Sequence, residues 1–197
     1  MSAPDPITAA FAEARATLDA FLADDASLAA VGAFADAIEA TYARDGRLLA
    51  AGNGGSMCDA LHFVEEWTGR FRADRAAMAA LSLGDPAQLT CIANDFGFDE
   101  VFARQVEANG REGDLLLLSS TSGNSPNLVR AAEVARARGL TVVGLLGQGG
   151  GALLSLCDVA VVVPHATTSD RIQEIHLKVI HAVIEAVERR LFPGNYA

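Results

Sequence analysis

The chain has 197 residues, of which 51% are hydrophobic and 20% are charged, and its formal net charge is -10. A chain of this length and apolar content buries a full core and is not expected to be disordered. The negative charge disfavours non-specific binding to nucleic acid or to an anionic membrane, because both need a basic surface, so we expect neither as a partner.

The N-terminal segment and the cysteines indicate a cytoplasmic protein. Residues 1–6 lack the basic region followed by an apolar region that a secretory signal needs. Charged residues interrupt every apolar run before it reaches membrane-spanning length. Cys58, Cys91 and Cys157 are odd in number and widely spaced, which favours reduced thiols over a disulfide framework.

Two helices are predicted ahead of the first strand, over residues 6–24 and 28–44, because apolar residues recur there at helical spacing. Their apolar faces either cover a sheet or pack against another subunit, and the sequence leaves both alternatives open. We expect one domain over residues 1–197, with the leading helices in 1–45 and an α/β core in 46–197.

Strands and helices alternate through the rest of the chain. Apolar runs predict strands over 47–51, 78–83, 115–118, 141–146 and 159–163, and helical spacing predicts helices over 57–71, 86–94, 99–109, 126–138 and 170–191. This alternation predicts a three-layer α/β/α sandwich whose five-stranded sheet is parallel. With the flavodoxin-like strand order 2-1-3-4-5, a crevice opens where the first and third strands end side by side.

A cluster of hydroxyl residues follows the third strand, and we call residues 119–125 (SSTSGNS) the serine loop. Hydroxyl, asparagine and glycine residues also form ordinary loops and helix caps, which is the alternative interpretation. However, four hydroxyls at positions 120, 121, 122 and 125, ahead of a helix that starts at Pro126, exceed what one cap requires. The pattern favours a phosphate site at a helix N-terminus, with Gly123 allowing close backbone approach.

Two other segments of the sequence are rich in glycine. Residues 52–56 (GNGGS) follow the first strand, but a GxGxxG dinucleotide fingerprint from Gly52 would need glycine where Met57 stands. A GxxxxGK[ST] phosphate loop is also missing from the sequence. For residues 147–151 (GQGGG), a plain turn is favoured over a second phosphate loop. The convergence of 52–56 with the serine loop at neighbouring strand ends is stronger evidence than either loop alone.

Candidate catalytic side chains lie on two of the predicted helices. His62 and Glu66 are four residues apart and share a helix face, so they suit one metal ion or one substrate, although a surface ion pair is the alternative. The last helix carries Gln173, His176 and His181. Eight residues of helix separate the backbones of Gln173 and His181 by ~12 Å. A site that needs both side chains therefore hints at an oligomer whose subunits share sites.

Five short motifs carry a family resemblance: residues 51–56 (AGNGGS), 62–66 (HFVEE), 94–97 (NDFG), 120–125 (STSGNS) and 171–176 (RIQEIH), the last followed by His181. In this order, from about residue 47 to the C-terminus, they resemble the phosphoheptose isomerases of the sugar isomerase (SIS) domain superfamily. The serine loop alone indicates only the superfamily, whereas the full set is more specific. The resemblance implies a SIS-domain fold and a phosphorylated seven-carbon sugar as the substrate.

The resemblance also implies roles for individual residues. The expected zinc ligands, one ion per subunit, are His62, Glu66, Gln173 and His181, and Glu66 and His181 also match the acid/base pair. Family members are typically homotetramers with active sites at subunit interfaces. The expected phosphosugar contacts are Asn53, Gly54, Gly55, Ser56, Asn94, Asp95, Ser120, Thr121, Ser122, Ser125 and Gln173.

The chemistry of such an enzyme fits these residue types. Converting a 2-ketose to an aldose moves a proton between C1 and C2 through an enediol, which needs a carboxylate base beside a group that stabilises negative charge on oxygen. The alternative is a non-catalytic SIS-domain protein that senses phosphosugars or associates with a replication initiator. Proteins of the latter kind characteristically lack the carboxylate at the position of Glu66, so its presence favours an enzyme.

Overall fold

A computed structural model describes residues 5–165 and 168–196. Two helices lead the chain, α1 (Pro6–Leu22) and α2 (Asp25–Tyr42). Each begins where an aspartate accepts a backbone hydrogen bond: Asp5 from the Thr8 amide at 3.0 Å and Asp24 from the Ser27 amide at 3.2 Å. Both helices end two residues before their predicted ends, and α2 begins three residues before its predicted start.

The rest of the chain alternates strands and helices as predicted. In chain order the elements are β1 (Leu48–Gly52), α3 (Gly55–Thr68), β2 (Ala80–Ser82), α4 (Pro86–Phe96), α5 (Ala103–Asn109), β3 (Leu115–Ser120), α6 (Pro126–Ala137), β4 (Thr141–Leu146), β5 (Val159–Val162) and α7 (Ser169–Leu191). Short 3-10 turns cover Phe98–Glu100, Ala152–Leu156 and Pro193–Tyr196.

All five strands are parallel, and their order β2-β1-β3-β4-β5 confirms the predicted topology. In the central pair, Leu48 of β1 pairs with Leu115 of β3, and the register continues to Gly52 opposite Ser119. The two strands therefore end together, and the chain leaves them in opposite directions along the sheet. This is the point at which open α/β sheets bind ligands.

Helices cover both faces of the sheet, which confirms the three-layer arrangement. On one face, Leu115 and Leu117 contact apolar side chains of α2, α3 and α7. On the other, Leu116 and Leu118 pack with residues of α5 and α6. Both faces of β3 are fully buried, which is why its sequence is a continuous run of leucines rather than an alternating pattern.

The structure differs from the prediction at several element boundaries. The helix expected over 99–109 begins only at Ala103, because Gly97 (φ 91°) turns the chain into the 3-10 segment Phe98–Glu100. The edge strand expected over 78–83 pairs with β1 only at Ala80–Ser82. The third strand continues to Ser120, two residues beyond its predicted end. Within the described ranges, none of the helices is long and apolar enough to cross a lipid bilayer.

Candidate active site

A polar cavity of about 220 Å³ lies at the carboxyl ends of β1 and β3. We call it the serine-loop cavity. Its walls come from the turn after β1, from the serine loop and from the beginnings of α6 and α7. The residues that line it are Asn53, Ser56, Ser119, Ser120, Thr121, Ser122, Ser125, Leu128, Ser169 and Gln173.

Most of the predicted phosphosugar residues meet in this cavity. Gly54 and Gly55 form the turn into α3 beside it. Three lining residues were not predicted to contact substrate: Ser119, Ser169 and the apolar Leu128. Ser119 was placed in the loop but not in the contact set, and it lies on β3 because the strand is longer than expected. Ser169 begins α7, and a serine at a helix start has the same sequence signature whether it caps the helix or binds a ligand.

Three helices begin at this cavity. The N-terminus of α3 follows Asn53, that of α6 follows Ser125, and α7 opens at Ser169. Free backbone N–H groups and the positive end of the helix dipole make each N-terminus attractive to an anion. Lysine and arginine are missing from the described residues that line the cavity. The arrangement therefore suits a phosphate held by dipoles and hydroxyls, in a protein whose net charge is -10.

The serine loop is held in shape by its own side chains. The Ser120 hydroxyl oxygen accepts from the Gly123 amide at 3.0 Å, and the Ser122 hydroxyl oxygen accepts from the Asn124 amide at 3.2 Å. Asn124 Oδ1 in turn accepts from the Ala152 amide at 2.9 Å. Because each serine oxygen acts as an acceptor inside the loop, its O–H proton stays available to an incoming oxygen ligand.

The segment Gly147–Gly151 packs directly behind the serine loop. Gly123 has φ 65°, and a Cβ there would overlap the Gly150 carbonyl. The expectation that Gly123 admits a ligand therefore needs correction, because the space it leaves is filled by this second segment. The segment is a turn, as predicted, and its role is to support the loop.

His176 fixes the orientation of one hydroxyl in the cavity. It is fully buried, and burial lowers its pKa to about 4, so the ring is neutral near pH 7. Its Nε2 lies 3.3 Å from the Leu146 carbonyl oxygen, which only accepts, so Nε2 carries the proton. Nδ1 then accepts from the Ser119 hydroxyl at 3.3 Å. Ser119 consequently presents its lone pairs, an acceptor, to the cavity.

An asparagine pair joins the turn after β1 to the start of α6. Asn53 and Asn127 exchange two amide hydrogen bonds, each 2.9 Å long. Asn127 is buried, so the pair holds the Asn53 side chain against the start of α6. Sequence reasoning missed Asn127, because nothing in the sequence pairs position 127 with position 53.

Gln173 reaches across from α7 to the first residue of α3. A Cβ on Gly55 would lie 2.7 Å from both Nε2 and Oε1 of Gln173, so only glycine leaves room for this side chain. The Gln173 amide nitrogen lies 3.4 Å from the Ser56 hydroxyl. The structure therefore places Gln173 in the serine-loop cavity, while its predicted part in a zinc site stays a prediction.

A second group of polar residues forms where α3 and α7 face each other, and we call His62, Glu66 and His181 the carboxylate-histidine cluster. The Nε2 atoms of the two histidines are 2.8 Å apart. Glu66 Oε1 lies 3.4 Å from His62 Nε2 and 3.9 Å from His181 Nε2. The predicted acid/base pair and three of the four predicted metal ligands thus come together, with Glu66 largely buried.

Burial shifts the ionisation of this cluster in opposite directions for acid and base. Burial raises the pKa of the Glu66 carboxyl, the Glu65 carboxylate raises it further, and His62 lowers it. Burial lowers the pKa of His181, and electrostatic interaction with His62, Lys178 and Arg72 lowers it further. A carboxyl group with a raised pKa beside an imidazole with a lowered pKa suits proton transfer, because both values move toward neutral pH or stay near it.

The donor atoms of the cluster fit a zinc ion. One atom from each of its three residues lies within 4.8 Å of the other two, and two imidazoles with one carboxylate are an established catalytic zinc ligand set. His62 Nδ1 lies 3.1 Å from Glu65 Oε1, and such a carboxylate partner orients a ligating imidazole.

Asp59 is a further carboxyl on α3, one turn before His62. Burial raises its pKa to about 6, against the effect of His62. Its Oδ2 atom has no hydrogen-bond partner among the described residues. Sequence reasoning did not single it out, because its environment depends on how α3 packs.

Asn94 and Asp95 are exposed in the last turn of α4, where Asn94 Nδ2 donates to Asp95 Oδ1 at 2.8 Å. Neither residue lines the serine-loop cavity. Within one chain the structure does not bring them to the other predicted residues, and their contact with a substrate stays a prediction.

A larger and more apolar groove of about 600 Å³ runs between α1 and α7. Phe11, exposed over 75% of its surface, lies on one side and Leu177 on the other. His181 of the carboxylate-histidine cluster lines the same groove. The cluster thus faces the surface on which the leading helix leaves apolar side chains uncovered.

Comparisons with known proteins agree with this geometry. The SIS domain family model matches residues 11–147. A phosphoheptose isomerase from Edwardsiella ictaluri is 50% identical over 187 residues, which are 95% of this chain and 97% of the relative. The solved phosphoheptose isomerase from Francisella tularensis superposes with a TM-score of 0.89 at 32% identity, covering 96% of this chain and all of the other. The phosphoheptose isomerase GmhA from Neisseria gonorrhoeae gives 0.85 at 39% identity, covering 92% and 96%.

Proposed function

The chain belongs to the phosphoheptose isomerases of the SIS domain family, and from this premise we propose that it converts D-sedoheptulose 7-phosphate to D-glycero-D-manno-heptose 7-phosphate. The observation that carries the proposal is the carboxylate-histidine cluster. A protein that only binds or senses a phosphosugar needs the serine-loop cavity but has no use for a buried base beside two imidazoles. The non-catalytic alternative is therefore not favoured.

The spacing of the two polar regions suits a seven-carbon sugar phosphate. Gln173 lies in the cavity and His181 in the cluster, and the eight residues between them span ~12 Å of helix. Eight bonds connect C1 of a heptulose 7-phosphate to its phosphorus. At ~1.2 Å per bond, the advance per bond of an extended polypeptide backbone, they reach ~10 Å. A phosphate in the cavity thus leaves C1 and C2 near Glu66.

In the proposed reaction, Glu66 removes the proton from C1 of the open-chain ketose and returns it to C2. The electron pair from the C–H bond forms the enediol double bond while the C2 carbonyl oxygen gains a proton. When C2 takes up the proton from Glu66, the C1 hydroxyl gives up its proton and the C1–O bond becomes the aldehyde carbonyl. His181 assists ring opening and proton transfer at the sugar oxygens. The raised pKa of Glu66 brings its basicity closer to what abstraction from a carbon acid needs.

A zinc ion is the cofactor we propose, with His62, Glu66 and His181 as ligands and Gln173 completing the set. The ion supplies Lewis-acid polarisation of sugar oxygens when bound. A carboxylate held by a metal is a weaker base, so the two roles of Glu66 compete. We infer that Glu66 ligates the ion at rest and acts as the base once substrate is present.

The phosphate end is held by the serine loop in this proposal. Ser120, Thr121, Ser122 and Ser125 donate hydroxyl protons to the phosphate, and the three helix N-termini balance its charge. Asn53, Gly54, Gly55, Ser56 and Gln173 contact the sugar from the α3 side, and Asn94 and Asp95 are further contacts.

We also propose a homo-oligomer, with a tetramer as the expected form, in the cytoplasm. The exposed Phe11 on α1 lines the apolar groove, and His181 opens into it. A second copy that covers this groove would shield the cluster from water. Sharing of sites also accounts for the exposure of Asn94 and Asp95, which are available to a neighbouring subunit's site.

The direct experiment is to incubate the purified protein with sedoheptulose 7-phosphate and follow aldose formation by NMR, with zinc measured on the same sample. We expect turnover, and we expect it to fall when a chelator removes the metal. Tight binding of the phosphosugar without any turnover would support the non-catalytic alternative instead.

A further inference from the structure

A buried ion pair ties together the two helices that carry Glu66 and His181. Arg75 lies in the segment that follows α3, and Glu188 lies on α7. Both side chains are 0% exposed, and Arg75 Nε donates to Glu188 Oε1 at 2.5 Å. Complete burial of an arginine and a glutamate is rare, and it has a large desolvation cost.

The other nitrogens of Arg75 close the C-terminal end of α3. Nη2 donates to the Glu66 carbonyl oxygen at 2.6 Å, and Nη1 donates to the Trp67 carbonyl oxygen at 2.8 Å. Carbonyls in the last turn of a helix lack an intrahelical partner, so Arg75 supplies what the helix itself does not. The guanidinium also lies 5.9 Å from the ring centroids of Trp67 and Phe192. These contacts together fix the position of the guanidinium group.

Glu188 connects this cap to the catalytic histidine. It follows His181 by seven residues on α7, which is two helical turns, so both project from similar sides of the helix. Its second oxygen accepts from the Tyr196 hydroxyl at 2.9 Å, and the C-terminal turn thereby covers the pair. One guanidinium therefore contacts the backbone of Glu66 and, through Glu188, the helix of His181.

We propose that Arg75 and Glu188 are positioning residues that set the separation of Glu66 and His181. A buried ion pair of this kind contributes little net stability compared with apolar side chains of similar volume, so stability alone does not account for it. A fixed geometry does, because proton transfer tolerates only small displacements of the base. This inference rests on the proposed isomerase function, since it assigns the geometry to that reaction.

The test uses one double variant and one conservative variant of the full chain. Arg75→Met with Glu188→Met replaces the pair with apolar side chains of similar length, and Arg75→Lys keeps the charge but loses the forked cap on Glu66 and Trp67. In both we expect kcat to fall by roughly 10- to 100-fold, with KM changed by less than about threefold. Arg190→Ala, which removes an exposed pair between α7 and α2, is the control and should leave kcat unchanged.

Circular dichroism melting separates positioning from folding. The proposal is overturned if folded variants keep kcat within about twofold of wild type, or if KM rises as much as kcat falls. If the double variant does not fold, Arg75→Lys decides by the same criterion.

Crystal structures of wild type and variant distinguish failure of this inference from failure of the proposed function. We expect the Glu66 Oε1 to His181 Nε2 distance, 3.9 Å here, to increase or to become variable in the variants. If wild type does not turn over sedoheptulose 7-phosphate, the proposed function fails. The change in this distance then decides by itself whether Arg75 and Glu188 position Glu66 and His181. An unchanged distance with unchanged order would overturn the inference.

Discussion

The serine-loop cavity and the carboxylate-histidine cluster are built in different ways. The serine loop that forms one wall of the cavity is a local structure: its hydroxyls lie within a few residues of one another, and Ser120 and Ser122 accept from amides of the same loop. The cluster is assembled at a distance, since His62 and His181 are 119 positions apart and meet only because α3 and α7 pack together. Preorganisation of the first depends on turn chemistry, and preorganisation of the second depends on the core. Substitutions in the two regions should therefore affect different kinetic parameters.

The largest expected effect is at the base. Glu66→Gln keeps the size of the side chain but removes its basicity, so kcat should fall by roughly 10²- to 10⁴-fold while binding of the phosphosugar is largely retained. Glu65→Gln is the matched control, because Glu65 contacts only the far side of the His62 ring and is more exposed. The Glu65→Gln substitution should lower kcat much less than Glu66→Gln does. Steady-state kinetics with calorimetric binding would check both, and near wild-type turnover by Glu66→Gln would rule out the assigned base.

A smaller effect, on a different parameter, is expected at the phosphate end. Thr121→Ala removes one hydroxyl donor to a charged group, and KM should rise by about 10- to 100-fold with little change in kcat. The same substitution should not matter for binding of a sugar that lacks the phosphate. Ser155→Ala, an exposed serine outside the cavity, is the control. A fall in kcat with constant KM would contradict the division of labour between the two regions.

Gly55 tests the connection between the cavity and the cluster, because Gln173 packs against it. Gln173 is predicted both to contact the sugar and to ligate zinc. Gly55→Ala places a methyl group 2.7 Å from the Gln173 amide, which must move while the backbone stays in place. We expect a loss of about tenfold in kcat/KM without a change in melting temperature. Gly32→Ala on α2, where a methyl group meets open space, should leave kcat/KM unchanged. Equal activity for both variants would show that the position of Gln173 is unimportant.

The smallest effect concerns stability in acid and arises at His176. The folded protein keeps this ring neutral down to about pH 4, whereas the unfolded chain binds a proton near pH 6.5. Between these values the unfolded state holds more protons, so acidification should destabilise the fold by up to about 3 kcal/mol. His176→Gln, which can keep both hydrogen bonds but does not titrate, should lose that dependence. His165→Gln, at an exposed site, should keep it. Urea unfolding across this pH range is the measurement.

The same contrast explains which features could be predicted from the sequence. The serine loop follows from a pattern within a short segment, the apolar run of β3 followed by hydroxyl residues and Pro126. The alternation of strands and helices predicted the parallel sheet, and the order 2-1-3-4-5 was taken from the flavodoxin-like arrangement. The break before α5 was missed, because the turn at Gly97 outweighs the helical spacing that follows it. Asn127, Ser169 and the Arg75–Glu188 pair were also missed, since their partners lie far away in the sequence. For the cluster, His62 and Glu66 were visible as a helical pair, but their meeting with His181 was known only from the family resemblance.

The most direct test of the central claim is the isomerisation carried out in D₂O and followed by NMR. If Glu66 moves a proton between C1 and C2 of a phosphate-anchored sugar, wild type should produce heptose 7-phosphate. Deuterium from the solvent should appear at C2 in the fraction of turnovers in which the protonated Glu66 carboxyl exchanges with D₂O before it reprotonates the enediol. Glu66→Gln should yield neither aldose nor exchange while it still binds sedoheptulose 7-phosphate. Aldose production by Glu66→Gln at a rate close to that of wild type would contradict the account.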